Sequence, residues 1–394
     1  MLPAERRAAL GLAAIFALRM LGLFIVLPVF AVAARTLVGG QDMAAVGLAL
    51  GAYGLTQACL QLPLGMAADR WGRKPVIAFG LALFVLGSVI CALADSVDTM
   101  TWGRMIQGSG AISAAITALV ADLTRDSQRS KAMAMIGGSI ALMFALSLAL
   151  APVFYGWIGL GGLFWLTAGL GLGAFWALFR VVPAAPPLPV PVAGTFALVL
   201  RDARLFRLNL GVFILHAIQI AMWVAVPALL VQMANLPLAR HWMVYLPAVL
   251  VALVVLWPAM MQAERHGRMA QVFSVAILFL CVVQVGFLGL LLLTDISGDA
   301  AVLMVFALIA LFFSGFNMLE ALQPSLISRI APMAGKAQAL GLYNTLQSLG
   351  LFAGGAGGGF LLQAGGYAAV FAGCGLLALI WLGISWKWPA RVPA

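Results

Sequence analysis

The chain has 394 residues, 64% of them hydrophobic and only 9% charged, with a formal net charge of +10. A soluble domain carries roughly 25% charged residues, so the composition excludes a soluble globular protein. A nucleic-acid binder would place its basic charge on a soluble domain, and no such domain is present.

Runs of about 20 apolar residues recur along the whole length, each long enough to cross a bilayer as a helix. Lipid offers no hydrogen bonds, so only helices or closed barrels can span it, and these runs are too long and too uniformly apolar for barrel strands. The pattern predicts twelve spans, at 9–34, 43–68, 76–94, 99–122, 132–155, 161–180, 208–231, 242–262, 270–293, 301–328, 337–362 and 367–386. The first follows Glu5-Arg6-Arg7 and ends near Ala31-Val32-Ala33, as a secretory signal would. It is too long for one and holds Arg19 at its middle, so it reads as a retained span. Between the second and third spans, "GMAADRWGRKP" (65–75) crowds Asp69, Arg70, Arg73 and Lys74 between two uncharged runs. After the sixth span, "VVPAAPPLPVPVAG" has the composition of a linker. The segment "FALVLRDARLFRLN" beyond it is basic and amphipathic, and is expected to lie on the membrane surface. The chain thus divides into a six-helix bundle over 1–181, a cytoplasmic linker over 182–207 and a second six-helix bundle over 208–394. Cys59, Cys91, Cys281 and Cys374 lie far apart in apolar runs and read as small core residues, with no disulfide framework or metal site.

Charge fixes the expected orientation. Of the 22 Lys and Arg, only Arg35 and Arg240 fall in outer segments and Arg19 and Arg104 within spans; the other 18 lie inside if the amino terminus does. The outer loops carry Asp42, Asp95, Asp98, Asp295 and Asp299. This asymmetry places both termini in the cytoplasm.

The halves repeat one another. "PLGMAADRWGRK" from Pro63 aligns with "PAMMQAERHGRM" from Pro258, so that Asp69, Gly72 and Arg73 match Glu264, Gly267 and Arg268. Gly110 and Lys131 match Gly315 and Lys336 at an offset of 205 residues, against 195 for the loop. A duplicated six-span unit with a central linker is transporter architecture, with the substrate site expected between the halves.

"GMAADRWGRKP" resembles the loop signature of the major facilitator superfamily, and "RMIQGSG" (Arg104, Gln107, Gly108, Gly110) is similar to the fourth-helix motif of its proton-coupled drug antiporters. The resemblance runs from Glu5 to Ser328. It implies an all-α membrane protein of two pseudo-symmetric bundles that moves small molecules by alternating access. The members it resembles most carry a soluble domain after the last helix; none is expected here, where the chain stops at Ala394. The fifth-helix antiporter glycines are partly replaced: Gly138 stays, Ser147 and Ala151 stand where others would be, and Pro152 and Gly156 are kept.

The resemblance assigns a conformational latch to Gly65, Asp69, Arg70, Gly72, Arg73, Lys74 and Asp122, with Glu264 and Arg268 as its weaker mirror. Asp69 would face the start of helix eleven near Lys336 and Ala337, where a helix amino terminus favours an anion, and Arg73 would pair with Asp122. The alternative is a solvated turn that only marks topology.

Ionisable groups within spans are costly and point to function. Glu320 is the only acid well inside a span and shares a polar face with Ser314, Asn317, Pro324 and Ser328. It could exchange a proton during the cycle, or be a permanently paired structural glutamate. Arg104 shares a face with Gln107, Gly108, Ala111 and Ala115; the resemblance gives it influence over proton transfer, and the alternative is a structural partner to backbone carbonyls. Arg19 binds substrate, neutralises an acid or serves the structure. His216 shares a face with Gln219, Trp223 and Pro227 and is either a titrating group or a packing donor. Glu320, Arg104, Arg19 and His216 are the proton-coupling candidates, and Asn317, Gln107, Gln219 and Trp223 the candidate cavity residues.

The expected function is proton-coupled export of hydrophobic or amphipathic small molecules across a bacterial inner membrane. A facilitator or symporter for a sugar or another metabolite is the alternative. An enzyme or receptor is disfavoured, because no zinc, haem or nucleotide motif and no nucleophile constellation is present. No cofactor is expected; the expected partners are a small-molecule substrate, protons and the bilayer, with the chain as a monomer.

Overall fold

A computed structural model describes residues 1–184, 196–293, 297–331 and 335–385, apart from the side chains of 126, 130, 196–198 and 337. Of the expected features, Asp295, Lys387, Arg391 and most of the proline-rich linker lie outside these residues. The described chain is helical: α1 Pro3–Phe24, α2 Leu27–Ala33, α3 Met43–Trp71, α4 Arg73–Ala92, α5 Val97–Ser109, α6 Ser113–Leu123, α7 Asp126–Arg180, α8 Phe196–Arg201, α9 Ala203–Gln232, α10 Trp242–Arg265, α11 Met269–Leu292, α12 Gly298–Ile330 and α13 Lys336–Ser385.

Ten helical stretches among the described residues are long and apolar enough to cross a membrane. Two of them, of 54 and 48 residues, would each be over 70 Å long if straight, at about 1.5 Å per residue. Both are broken by glycines: Gly159 in α7 at φ 66°, and Gly365 with Gly366 (φ 66°) in α13. Counted as two crossings each, they make the total compatible with twelve. Glycine is needed at Gly159 and Gly366 because a positive φ costs any side chain steric energy.

Two further breaks lie inside single expected spans. Pro28 stands in the first turn of α2, where a missing N–H leaves no hydrogen bond unmade. The fourth span is cut by 110–112 into α5 and α6. The single face expected for Arg104, Gln107, Gly108, Ala111 and Ala115 is therefore corrected: helical register stops at Ser109. At this break a Cβ on Gly110 would fall 2.2 Å from the Gly80 carbonyl oxygen, so glycine lets the turn sit directly on α4.

The chain forms two compact units, Met1–Gln41 with Ala52–Ala193, and Asp42–Gly51 with Gly194–Ala394. In the first, α1 packs on α7, and α4 on α5 and α7. Its core is aliphatic, built from residues such as Leu12, Ile77, Leu81, Ile116 and Leu119. In the second, α9 packs on α13, α10 on α12, and α11 on both α12 and α13. The α9–α13 seam is made by glycines four apart: a Cβ on Gly350 or Gly354 would meet the carbonyl oxygen of Phe213 or Ala217 at 2.4 or 2.2 Å, and one on Gly358 the Ala221 Cα at 2.9 Å. Small residues at this spacing let membrane helices touch backbone to backbone. Large apolar side chains cover the outside, with Trp71, Trp102, Trp157, Trp176 and Trp257 exposed near helix ends or breaks. That is the distribution of an aromatic belt at lipid–water boundaries.

Candidate functional site

The charged loop between α3 and α4 turns at Gly72, whose φ of 100° suits glycine alone. Pro75 follows in the first turn of α4, where no N–H is required. Arg73 becomes the first residue of α4 and its side chain is 7% exposed. Its Nε donates to Asp122 Oδ2 on α6 at 3.1 Å, as the resemblance implied, and its Nη1 donates to Asp69 Oδ1 at the end of α3. One planar guanidinium thus ties three helices, a task suited to its fork of donors. The side chain of Asp69 is 50% exposed, that of Asp122 only 16%. Lys74 Nζ donates to the Val182 carbonyl at 2.7 Å, Arg70 is exposed, and Gly65 lies against Ala114. Ala337, the expected neighbour of Asp69, has its side chain outside the described residues.

The repeat of this loop also turns on a positive-φ glycine, Gly267 at 66°. Its charges are arranged differently: Arg268 Nη1 donates to Gln262 Oε1 at 3.4 Å, and Glu264 is exposed with no ion pair among the described residues. The second loop keeps the backbone turn without the three-helix tie.

Both arginines within spans of the first unit are buried, Arg19 at 0% and Arg104 at 1% exposure. Arg19 Nη2 donates to Tyr53 Oη at 2.6 Å, to Gln57 Oε1 at 3.3 Å and to the Gly110 carbonyl at 3.2 Å; Nη1 reaches Ser113 Oγ at 3.4 Å. The Gly110 carbonyl is available because the helix breaks there. No carboxylate pairs with Arg19 among the described residues, so neutral acceptors carry its charge. Arg104 Nη1 donates to Gln107 Oε1 at 2.6 Å, and its guanidinium lies 5.0 Å over the Tyr53 ring. Gln107 Nε2 donates in turn to Ser88 Oγ at 2.8 Å. Gln107, expected at a cavity, therefore has both ends of its amide engaged.

In the second unit His216, Glu320 and Gln347 lie about 15 to 20 Å along α9, α12 and α13 from Ala203, Ile330 and Lys336, at 1.5 Å per residue. That is near the middle of a hydrocarbon core about 30 Å thick. His216 Nδ1 lies 3.0 Å from the Val212 carbonyl oxygen. His216 Nε2 lies 2.8 Å from Gln347 Nε2 and 3.5 Å from Glu320 Oε2. Gln347 Nε2 also donates to Glu320 Oε1 at 3.4 Å. The Glu320 side chain is 38% exposed and that of His216 5%. Tyr343, one turn before Gln347, is buried with a hydroxyl that has no hydrogen-bond partner among the described residues.

The structure thus brings together two of the expected residues, Glu320 and His216, and adds Gln347 and Tyr343. Of the others near them, Ser314 donates back to the Ala310 carbonyl at 2.7 Å, while Gln219 and Trp223 are buried and Asn317 is half-buried. Trp223 packs edge-on against Tyr245, and its Nε1 has no partner among the described residues. Among the described residues, no group of three His, Cys, Asp or Glu side chains gathers as a metal site would require.

A polytopic helical protein with a duplicated charged turn and ionisable clusters inside its spans is built as a secondary transporter. Residues 12–355 match the model of the Major Facilitator Superfamily, and the chain belongs to that family of transporters. It is 42% identical to the inner membrane transport protein YajR of Escherichia coli K12 over 98% of this chain and 84% of that protein. It is 28% identical to the multidrug resistance protein MdtH of Yersinia enterocolitica over 88% of this chain and 84% of that one. Among solved structures, the fold is shared with a D-xylose–proton symporter (TM-score 0.77, 15% identity, 98% of this chain and 99% of that one). It is also shared with the human organic anion transporter MFSD10 (TM-score 0.70, 18% identity, 97% and 100%).

Proposed function

We propose that the protein exports hydrophobic or amphipathic small molecules in exchange for protons, by alternating access. The observation that carries this reading is Glu320, a carboxylate about 15 Å in from the C-terminal end of an apolar helix, beside His216 and 38% exposed. A carboxylate held at that depth is costly, and such groups mark ion and proton pathways by default. Its partial exposure leaves a route for a proton. The multidrug-resistance name of the MdtH relative supports the substrate class. The Lys and Arg asymmetry and the inner-membrane name of the YajR relative support a bacterial inner membrane location with cytoplasmic termini.

The Asp69–Arg73–Asp122 tie is the proposed latch: it braces three helices of the first unit and loosens during the cycle. The test is uptake of a fluorescent lipophilic dye into inverted membrane vesicles. Dye should accumulate when the vesicle interior is made acidic, and accumulation should collapse on adding a protonophore. Equal uptake with and without the gradient would replace this reading by facilitated diffusion.

A further inference from the structure

We propose that Gln347 is a positioning residue that sets the protonation of His216, so that the exchanged proton resides on His216 Nε2 and is shared with Glu320. This rests on the proton-coupled reading above. The Val212 carbonyl, 3.0 Å from Nδ1, can only accept, so Nδ1 carries a hydrogen in every state. The neutral ring therefore presents a lone pair at Nε2. Gln347 Nε2 fits that lone pair at 2.8 Å and gives its second hydrogen to Glu320 Oε1 at 3.4 Å. With His216 neutral and Glu320 ionised, every hydrogen bond of the cluster pairs a donor with an acceptor, and only the 3.5 Å approach of Nε2 to Glu320 Oε2 sets two acceptors together. The buried Glu320 Oε2 has no hydrogen bond among the described residues.

Adding a proton to Nε2 forms one N–H bond and breaks one O–H bond of a hydronium ion, which departs as water. The new N–H then faces the Gln347 amide nitrogen, donor against donor. Turning that amide over would set its oxygen against Glu320 Oε1, which an ionised carboxylate repels. The arrangement that satisfies all groups sends Nε2–H to Glu320 Oε2, already 3.5 Å away, while Gln347 keeps only Glu320 Oε1. Proton uptake thus exchanges an α9–α13 hydrogen bond for an α9–α12 ion pair. The groups facing His216 are Glu320 and the edge of Phe316 from α12, and Gln347 from α13. Tyr343 on α13, buried one turn before Gln347, is a further titratable group on that helix.

The full chain in nanodiscs, labelled with nitrogen-15 histidine, tests this, since it has only three histidines. The His216 signals are assigned by their loss in His216→Gln. In the wild type at high pH they should report the Nδ1–H tautomer. Gln347→Leu removes the donor that favours the neutral ring and should raise the His216 midpoint by roughly one pH unit, the size of one hydrogen bond. Glu320→Gln should lower it. An Nε2–H tautomer in the wild type, which needs no variant to fold, would overturn the proposal. So would a Gln347→Leu midpoint equal to that of the wild type. If dye uptake ignores the proton gradient while the tautomer is as expected, the transport reading fails and the Gln347 assignment stands. Gradient-driven uptake with the wrong tautomer gives the reverse.

Discussion

Arg19 donates to the hydroxyl of Tyr53 across 2.6 Å, and the ring of the same tyrosine lies under Arg104 at 5.0 Å. One side chain thus serves two buried cations by two different means. Tyr53→Phe keeps the ring and removes only the acceptor for Arg19. A hydrogen bond to a charged group is worth about 2 kcal/mol, so the variant should melt earlier in detergent by that equivalent. Tyr53→Ala should cost clearly more, because the face under Arg104 is lost as well. Equal melting of the two variants would show that the ring contributes nothing.

Glu320→Gln removes the carboxylate with which His216 shares the proton. It should abolish uphill, gradient-driven transport in proteoliposomes while sparing downhill exchange. A proton can bias the cycle only where its site differs between states. A glutamine variant that still concentrates substrate as the wild type does would make Glu320 structural.

The two carboxylates on Arg73 should separate by readout. Asp69 is half exposed, and such pairs contribute less than about 1 kcal/mol. Asp69→Asn should therefore leave thermal stability nearly unchanged yet cut transport strongly. Asp122 is 16% exposed, and Asp122→Asn should cost about 2 kcal/mol, between the exposed and buried cases. Paired melting and flux measurements check both values, and full transport by Asp69→Asn would remove the latch assignment.

Two glycines should fail for different reasons. Gly267→Ala meets no neighbour within 4 Å and pays only for its positive φ, about 1 kcal/mol. Gly354→Ala drives a Cβ to 2.2 Å from the Ala217 carbonyl oxygen, a backbone clash that should cost at least about 3 kcal/mol. Comparing the melting temperatures of the two variants tests the close α9–α13 contact.

Asp202 caps α9 by accepting from the Arg204 N–H at 2.8 Å. The Arg204 side chain, which also bonds the carboxylate, holds its pKa below the ordinary 3.8. Because the folded pKa is lowered, the stabilisation is fully present above the ordinary value and is lost as pH falls through the lowered one. Hydrogen exchange at the Arg204 and Leu205 amides should therefore accelerate below about pH 4. In Asp202→Asn, a neutral cap of similar strength, protection should not depend on pH in this range.

Much of the fold can be read from apolar run length and glycine placement. The paired runs that α7 and α13 join end at Gly159 and Gly365–Gly366, where a turn needs a positive φ. The Arg73–Asp122 pair was legible through the loop signature. The break at Gly110 was not, since a glycine inside an apolar run reads as tolerated helix. Tyr53, Gln57, Tyr343 and Gln347 escaped for a related reason. Each is an uncharged polar residue in an apolar run, with no charge to mark it. Gln347 meets His216 across 131 residues of sequence, beyond the reach of any local pattern.

The glycine seam also limits where the second unit can give way. Along Gly350, Gly354 and Gly358 the two backbones meet directly, so shifting one along the other would drive backbone atoms together, and α9 and α13 behave there as a single two-ply plank. Glu320 rides on α12, outside that plank. A change in the grip between His216 and Glu320 therefore acts first on the contact between α12 and that plank.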